Sequence, residues 1–145
     1  MVKIVVRTEV RPSESEEKVI KAIQTFFDYD ELEKEKEGIY EILIAKSNRL
    51  SSLLKLHRLL RNQRILDASR RYLLKGLVGD TITFLLNKQA AAVGVISFVD
   101  SDRESPLGPI VVEITSKNPR AIIDWITPRT ARGVPLWENP MPEDV

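Results

Sequence analysis

The chain has 145 residues, 43% of them hydrophobic and 30% charged, with no cysteine and a formal net charge of +1. This composition predicts one soluble globular domain over residues 1–145 and excludes disulfides, thiol catalysis and thiolate metal sites. The first residues are too charged for a signal sequence and no apolar run is long enough to cross a membrane. We therefore expect a cytoplasmic protein.

The first third of the chain predicts a strand, a helix and a second strand. Residues 2–11 alternate apolar and polar side chains, as in a strand with one buried face. Ser13 and Glu16 have the spacing of a capping box, and apolar residues at helical spacing then predict a helix over residues 13–28. The segment DYDELEKEKEG is predicted to be a charged connector that stops at Gly38, and residues 39–46 a second strand.

The middle of the chain predicts two basic helices. Ser47 or Asn48 caps the first helix, and a bend follows at residues 64–67. Asp67 caps the second helix, which ends at Gly76. At helical spacing, the core side of the first helix is predicted to carry Leu50, Leu53, Leu54, His57 and Leu60.

The last part of the chain predicts three strands, one helix and an arm. Residues 80–87 and 90–99 form strands around a tight turn, and residues 110–115 form the last strand after a loop. Asn118 caps a short helix with Pro119 in its first position. Residues 127–145 form a proline-rich arm, tied down by Leu136 and Trp137.

The predicted order is therefore β-α-β-α-α-β-β-β-α. The last three strands, joined by short loops, predict an antiparallel meander. The fold class is α+β, an antiparallel sheet with helices packed mainly on one face.

Charge is distributed unevenly. Residues 12–45 hold ten acidic and four basic residues, whereas residues 46–75 hold nine basic residues and one acidic residue. Pairing within the helices cannot neutralise nine cations with one anion. Six of the nine are arginines, which suit bidentate contacts with phosphates. Either the basic side chains keep the two helices in water or pair with the acidic segment of the protein, or they bind an external anion, and the excess of cations favours the anion.

No catalytic, cofactor or metal signature is present. His57 is the only histidine and lies among leucines, which favours a place in the core. The acidic loop that begins at Asp100 lacks the glycine and the final glutamate of a calcium loop. Phosphate-binding glycine motifs are absent, and we expect no enzyme.

Three segments carry a family resemblance. LNKQAAAVGVISF, ESPLGPIVVEI and NPRAIIDWITPRT, the last followed by GVP, resemble an archaeal family of uncharacterised proteins, uncharacterised protein family two hundred and one. The resemblance extends along the whole chain. It implies a fold similar to ribosomal protein L five and a role in RNA binding, by analogy of fold.

Together these observations predict a non-enzymatic archaeal protein that binds RNA or a ribonucleoprotein through a basic helical surface. Because Tyr72 is the only aromatic residue near the basic residues, recognition of phosphates fits better than stacking of bases. The predicted RNA-binding residues are Lys55, Arg58, Arg61, Arg64, Arg70, Arg71 and, at the NKQAA turn, Lys88.

Two alternatives remain at this point. In the first, the chain is a homodimeric interaction module: the basic helices meet the acidic residues 28–37 of a partner copy and Leu59 is buried between the two. In the second, the arginines bind a phosphorylated small molecule in an enzyme whose acid or base the sequence does not reveal.

Overall fold

The computed structural model of the chain describes residues 1–101 and 107–143. Its strands are β1 Lys3–Val10, β2 Glu31–Glu37, β3 Tyr40–Ser47, β4 Leu77–Val78, β5 Thr81–Leu86, β6 Phe98–Val99, β7 Ile110–Thr115, β8 Thr130–Ala131 and β9 Val134–Pro135. Its helices are α1 Glu16–Gln24, α2 Leu54–Asn62, α3 Leu66–Lys75, α4 Lys88–Ala92 and α5 Pro119–Ile126, with a 3-10 turn at Leu50–Leu53 before α2.

Seven strands form one antiparallel sheet in the order β2-β3-β1-β7-β5-β4, with β6 also paired to β5. Alternate residues of the central strands, such as Ile4, Phe84 and Val112, are buried together with apolar side chains of α1, α2, α3 and α5. The opposite face carries partly exposed side chains. The predicted α+β class, with an antiparallel sheet and helices on one face, is confirmed.

Several predicted elements appear where the sequence indicated them. Strands β1, β5 and β7 bury every second residue. The Asn118 side chain accepts a hydrogen bond from the Ala121 amide at 3.3 Å, as expected of a cap before Pro119. Helix α3 ends at Gly76, as predicted. In the described part of the chain, no helix is long and apolar enough to span a membrane.

The predicted connector at residues 28–38 is wrong, because β2 occupies most of it. This strand pairs with β3 along its whole length, and Gly38 turns the chain between them with a φ of 66°. Leu32 is its only apolar residue. An edge strand needs no buried face, and charged residues protect its free edge from pairing with other chains. The sequence of β2 therefore lacks the alternation of apolar and polar residues by which a strand is predicted.

The predicted strand at residues 90–99 is also wrong, and so is the meander. The Asn87 side chain accepts a hydrogen bond from the Ala90 amide at 2.8 Å and caps α4, whose three alanines favour a helix. Gly94, with a φ of 85°, follows α4. Of residues 90–99, only Phe98 and Val99 pair with β5, as the short strand β6, while β7 pairs along the other edge of β5.

Three helix starts differ from prediction. The capping box is not formed: α1 begins at Glu16, and Glu14 instead accepts a hydrogen bond from the Arg11 amide at 2.9 Å. Helix α2 begins after a 3-10 turn, so neither Ser47 nor Asn48 caps it. Asp67 lies inside the first turn of α3 and accepts a hydrogen bond from the Thr130 hydroxyl, so it is no cap.

The leucine face of α2 is shifted from the predicted one. Leu56 is fully buried, whereas Leu54 is 46% exposed. The residues of the preceding 3-10 turn advance by about 120° each, against about 100° in an α-helix, and this difference changes the phase. Leu50, Leu53 and Leu60 are buried as predicted.

The arm is held by other residues than those predicted. Leu136 and Trp137 are 52% and 57% exposed, so the prediction that they tie it down is wrong. Instead, the Asn139 side chain donates a hydrogen bond to the Asp124 carbonyl at 2.9 Å, and Met141 packs against the core. The predicted loop at residues 100–109 lies partly outside the described residues.

Candidate nucleic-acid interface

The basic region forms two helices that meet at a sharp bend. Arg64 has a φ of 57°, the left-handed conformation that stops α2 and redirects the chain into α3. The predicted bend at residues 64–67 is therefore present. The side-chain contacts of the basic residues from Lys46 to Arg71 separate these residues into three groups.

The first group is exposed and unpaired. Arg58 on α2, Arg64 at the bend and Arg71 on α3 all face solvent. Within residues 1–101 and 107–143, none of the three forms an ion pair or a hydrogen bond through its side chain. Their guanidinium groups are available to an external anion.

The second group pairs with the acidic segment of the same chain. The Lys55 ammonium contacts the Asp28 carboxylate at 2.9 Å and donates to the Gln24 carbonyl at 3.0 Å. Arg49 contacts Asp30 at 2.7 Å, and this hydrogen bond lowers the pKa of the Asp30 carboxyl. Lys46 on β3 contacts Glu33 on the neighbouring strand β2 at 3.0 Å.

These contacts bear on the homodimer alternative. The three cations meet the acidic residues within one chain, where the alternative needs a partner copy. Leu59, which the alternative buries between copies, is partly buried against the chain's own core. The pairing of Lys55 and the partial burial of Leu59 are thus accounted for inside a single molecule, while the homodimer stays a prediction.

The third group, Arg61 and Arg70, holds the end of α5. Arg61 donates to the Ile126 carbonyl at 3.0 Å and contacts Glu138 at 2.7 Å, while Arg70 donates to the Thr127 carbonyl at 2.6 Å. Their side chains are only 19% and 15% exposed. Positive groups stabilise the carbonyl end of a helix, so these two arginines have a structural role in the fold.

Lys88 does not join the interface. It is 2% exposed, and its ammonium donates to the carbonyls of Glu9 and Leu107 at 2.7 and 2.6 Å and to the Glu14 carboxylate at 2.9 Å. Burial lowers the pKa of Lys88, and the Glu14 carboxylate opposes that shift. Three acceptors satisfy all three ammonium donors, so Lys88 fastens α4 to β1 and to the loop before β7.

The aromatic groups on the basic helices are engaged within the fold. His57 stacks on Trp125 with ring centroids 5.2 Å apart, and Tyr72 stacks on Phe98 at 4.9 Å. Burial lowers the pKa of His57, and the positive charge of Arg61 lowers it further. His57 therefore remains neutral near pH 7 and packs against the core, as predicted.

Two further cations of this region were not among the residues predicted from the sequence. Arg129 and Arg132 flank β8 in the arm and are exposed. The Thr130 hydroxyl donates a hydrogen bond to Asp67 of α3, which lays this part of the arm against the basic helices. About sixty residues of sequence separate them from α3, so the sequence alone does not indicate that the arm contacts this helix.

The enzyme alternative needs a pocket in which arginines meet an acid or a base. A cavity of about 310 Å³ lies on the open face of the sheet. Arg7, Arg11 and Glu9 line it. Arg7 contacts Glu113 at 2.6 Å and Arg11 contacts Glu9 at 2.6 Å, so each arginine already has a carboxylate partner. Among the described residues, no group of three or more histidine, aspartate or glutamate side chains is placed to hold a metal ion.

Comparison with known proteins shows to which family the chain belongs. A family model described as RNA binding matches residues 3–117. The UPF0201 protein of Sulfurisphaera tokodaii is 62% identical over 144 residues, 99% of each chain. The chain belongs to the archaeal UPF0201 family.

Other UPF0201 proteins support the same assignment. A relative from Saccharolobus solfataricus is 59% identical over 145 residues, the full length of both chains. The crystal structure of a UPF0201 protein from Methanococcus jannaschii is 36% identical, covers 92% of this chain and 98% of its own, and superposes with a TM-score of 0.81. The predicted family is thereby confirmed, while the likeness to ribosomal protein L five stays a prediction.

Proposed function

We propose that this UPF0201 chain is a non-enzymatic RNA-binding protein of the archaeal cytoplasm. Its interface is the arginine surface, which we define as Arg58, Arg64 and Arg71. The observation that carries the proposal is that these three arginines are exposed and unpaired among the described residues, whereas their neighbours are paired. The RNA-binding description of the matching family model supports it.

The chemistry of the arginine surface favours phosphates. Each guanidinium presents planar, bidentate donors that match phosphate oxygens. Lys55 lies one helical turn before Arg58 on α2, and its charge is shared with Asp28. Naked RNA and a ribonucleoprotein both present such phosphates, so the proposal covers both partners.

The test is RNA affinity as a function of salt. Three phosphate contacts predict that the logarithm of the association constant falls with the logarithm of salt concentration with a slope of about −2 to −3. Replacing Arg58, Arg64 and Arg71 together by Glu is expected to abolish binding and remove this slope. Fluorescence anisotropy with a labelled structured RNA measures both quantities.

A matched control separates this surface from net charge. Lys18, Lys21 and Lys36 are exposed elsewhere on the molecule, and replacing all three by Glu changes the net charge equally. This control is expected to keep most of the affinity. Equal loss in both variants, or affinity of the wild type that does not change with salt, contradicts the proposed interface.

A further inference from the structure

The arm contains a second feature that fits RNA, and its interpretation rests on the proposed function. Residues 128–137 hold Arg129, Arg132 and Trp137 and no acidic residue. All three side chains are exposed, and Trp137 leaves 57% of its surface in water. The other tryptophan, Trp125, is only 3% exposed.

Contacts on both sides of Trp137 hold the arm in place. Before it, β8 and β9 form a hairpin whose turn contains Arg132, and the Leu136 amide donates to the Arg129 carbonyl at 2.9 Å. After it, Glu138 accepts two hydrogen bonds from Arg61, at 2.9 and 2.7 Å. The indole is therefore presented from an anchored segment.

The same contacts bring Trp137 to the arginine surface. Arg58 lies one helical turn before Arg61 on α2, and Arg61 binds Glu138, the residue that follows Trp137. On the other side of the arm, Thr130 binds Asp67, one turn before Arg71 on α3. The arm thus contacts both basic helices, α2 at Arg61 and α3 at Asp67.

An exposed indole among unpaired cations matches one ligand chemistry. The face of an indole stacks on any nucleobase, and cationic side chains beside it neutralise the adjoining phosphates. The charge of Glu138 does not oppose a polyanion here, because Arg61 neutralises it. An acidic protein surface also fits the cations, but only a nucleic acid carries a flat base beside each phosphate.

We propose that Trp137 stacks on an unpaired base of the RNA whose phosphates contact Arg58, Arg64 and Arg71. Arg129 and Arg132 contact the phosphates next to that base. The preferred substrate is therefore RNA with unpaired nucleotides, such as a loop, a bulge or a strand end. The matched family model ends at residue 117, before the arm, so its RNA-binding description leaves this residue unassigned.

The test compares variants of Trp137 on two RNAs, a short oligouridylate and a blunt-ended duplex of the same length. Trp137→Ala is expected to weaken oligouridylate binding by about 5- to 100-fold, the usual effect of losing one stacking partner. Trp137→Phe keeps a stacking ring and is expected to retain most of the affinity. Binding of the duplex is expected to stay the same in both variants.

Two further measurements make the test specific. Leu136→Ala removes a neighbouring side chain of similar exposure and is expected to leave oligouridylate binding unchanged. Bound oligouridylate is expected to quench the tryptophan fluorescence of the wild type, and Trp137→Phe to abolish that quenching, since Trp125 is buried. Because Trp137 is exposed, these substitutions leave the core intact.

The outcomes distinguish this inference from the proposed function. If Trp137→Ala binds oligouridylate like the wild type while the triple arginine variant does not, stacking is overturned and the arginine surface stands. If Trp137→Ala changes self-association and leaves RNA affinity unchanged, the indole contacts protein and the inference is again overturned. If the wild type binds neither RNA, the proposed function fails, and the stacking inference falls with it.

Discussion

Single residues of one type have different roles in this protein. Arg61 and Arg58 lie one turn apart on α2, yet Arg61 donates to carbonyls at the end of α5 and Arg58 meets solvent. The difference comes from what lies opposite each side chain. Unsatisfied carbonyls at a helix end need donors, and the long side chain of Arg61 reaches them.

At the scale of a single residue, we predict that replacing Lys88 lowers the stability of the protein. Lys88→Met keeps most of the side-chain volume but leaves the Glu14 carboxylate, only 10% exposed, without its cation. It also removes the donor from the carbonyls of Glu9 and Leu107. Breaking one partner out of a buried pair costs about 3–5 kcal/mol, so we expect a loss of that size in the free energy of unfolding by urea.

The control for Lys88 is its neighbour in the same short helix. Gln89 is exposed, and Gln89→Ala is expected to change the free energy of unfolding by less than about 0.5 kcal/mol. A loss below about 1 kcal/mol in Lys88→Met would show that the ammonium does not fasten α4 to β1. RNA affinity of the folded variant is expected to match the wild type.

At the scale of elements, predictions succeeded where burial enforces a period. Strands β1 and β5 alternate because one face is buried, and that alternation is visible in the sequence. The edge strand β2 has no such face. Around Ala90, three alanines suit a helix or a small-residue strand, and the Asn87 cap decided between them.

At the scale of elements, we predict that the close packing of α3 on β5 requires glycine at position 76. Gly76 ends α3, its carbonyl accepts a hydrogen bond from the Thr83 amide at 3.0 Å, and a Cβ at this position would overlap the Thr83 carbonyl oxygen. Gly76→Ala must therefore push α3 away from the sheet. We expect a loss of about 1–3 kcal/mol or more in the free energy of unfolding, measured with urea.

The preceding position provides the comparison for Gly76. Lys75 is 73% exposed at its side chain, and Lys75→Ala removes no backbone contact. Its free energy of unfolding is expected to remain within about 0.5 kcal/mol of the wild type. Equal stability of the two variants would mean that α3 and β5 have room to separate.

At the scale of the whole molecule, residues 1–101 and 107–143 share one hydrophobic core. Helices α1, α2, α3 and α5 all contribute buried residues to it, together with both halves of the sheet. A shared core predicts cooperative unfolding of one domain over residues 1–145, although the matched family model spans only residues 3–117. This expectation has a direct test.

We predict a single two-state transition in urea. Far-ultraviolet circular dichroism reports the helices, and fluorescence of the buried Trp125 reports the core near α5. Measured on the Trp137→Phe variant, which removes the exposed fluorophore, the two curves are expected to coincide. A fluorescence change that precedes the loss of circular dichroism would show that α5 and the arm unfold separately.

The sequence by itself determined the family, the fold class and the unequal distribution of charge. Those properties follow from composition, from periodicity and from motifs that are local in the chain. Only the tertiary structure decided which cations are available, because each neutralising partner lies far away in sequence. Lys55 meets Asp28, Arg61 meets Glu138, and the arm brings Trp137 beside the basic helices. Pairing depends on distance in space, and folding alone sets that distance.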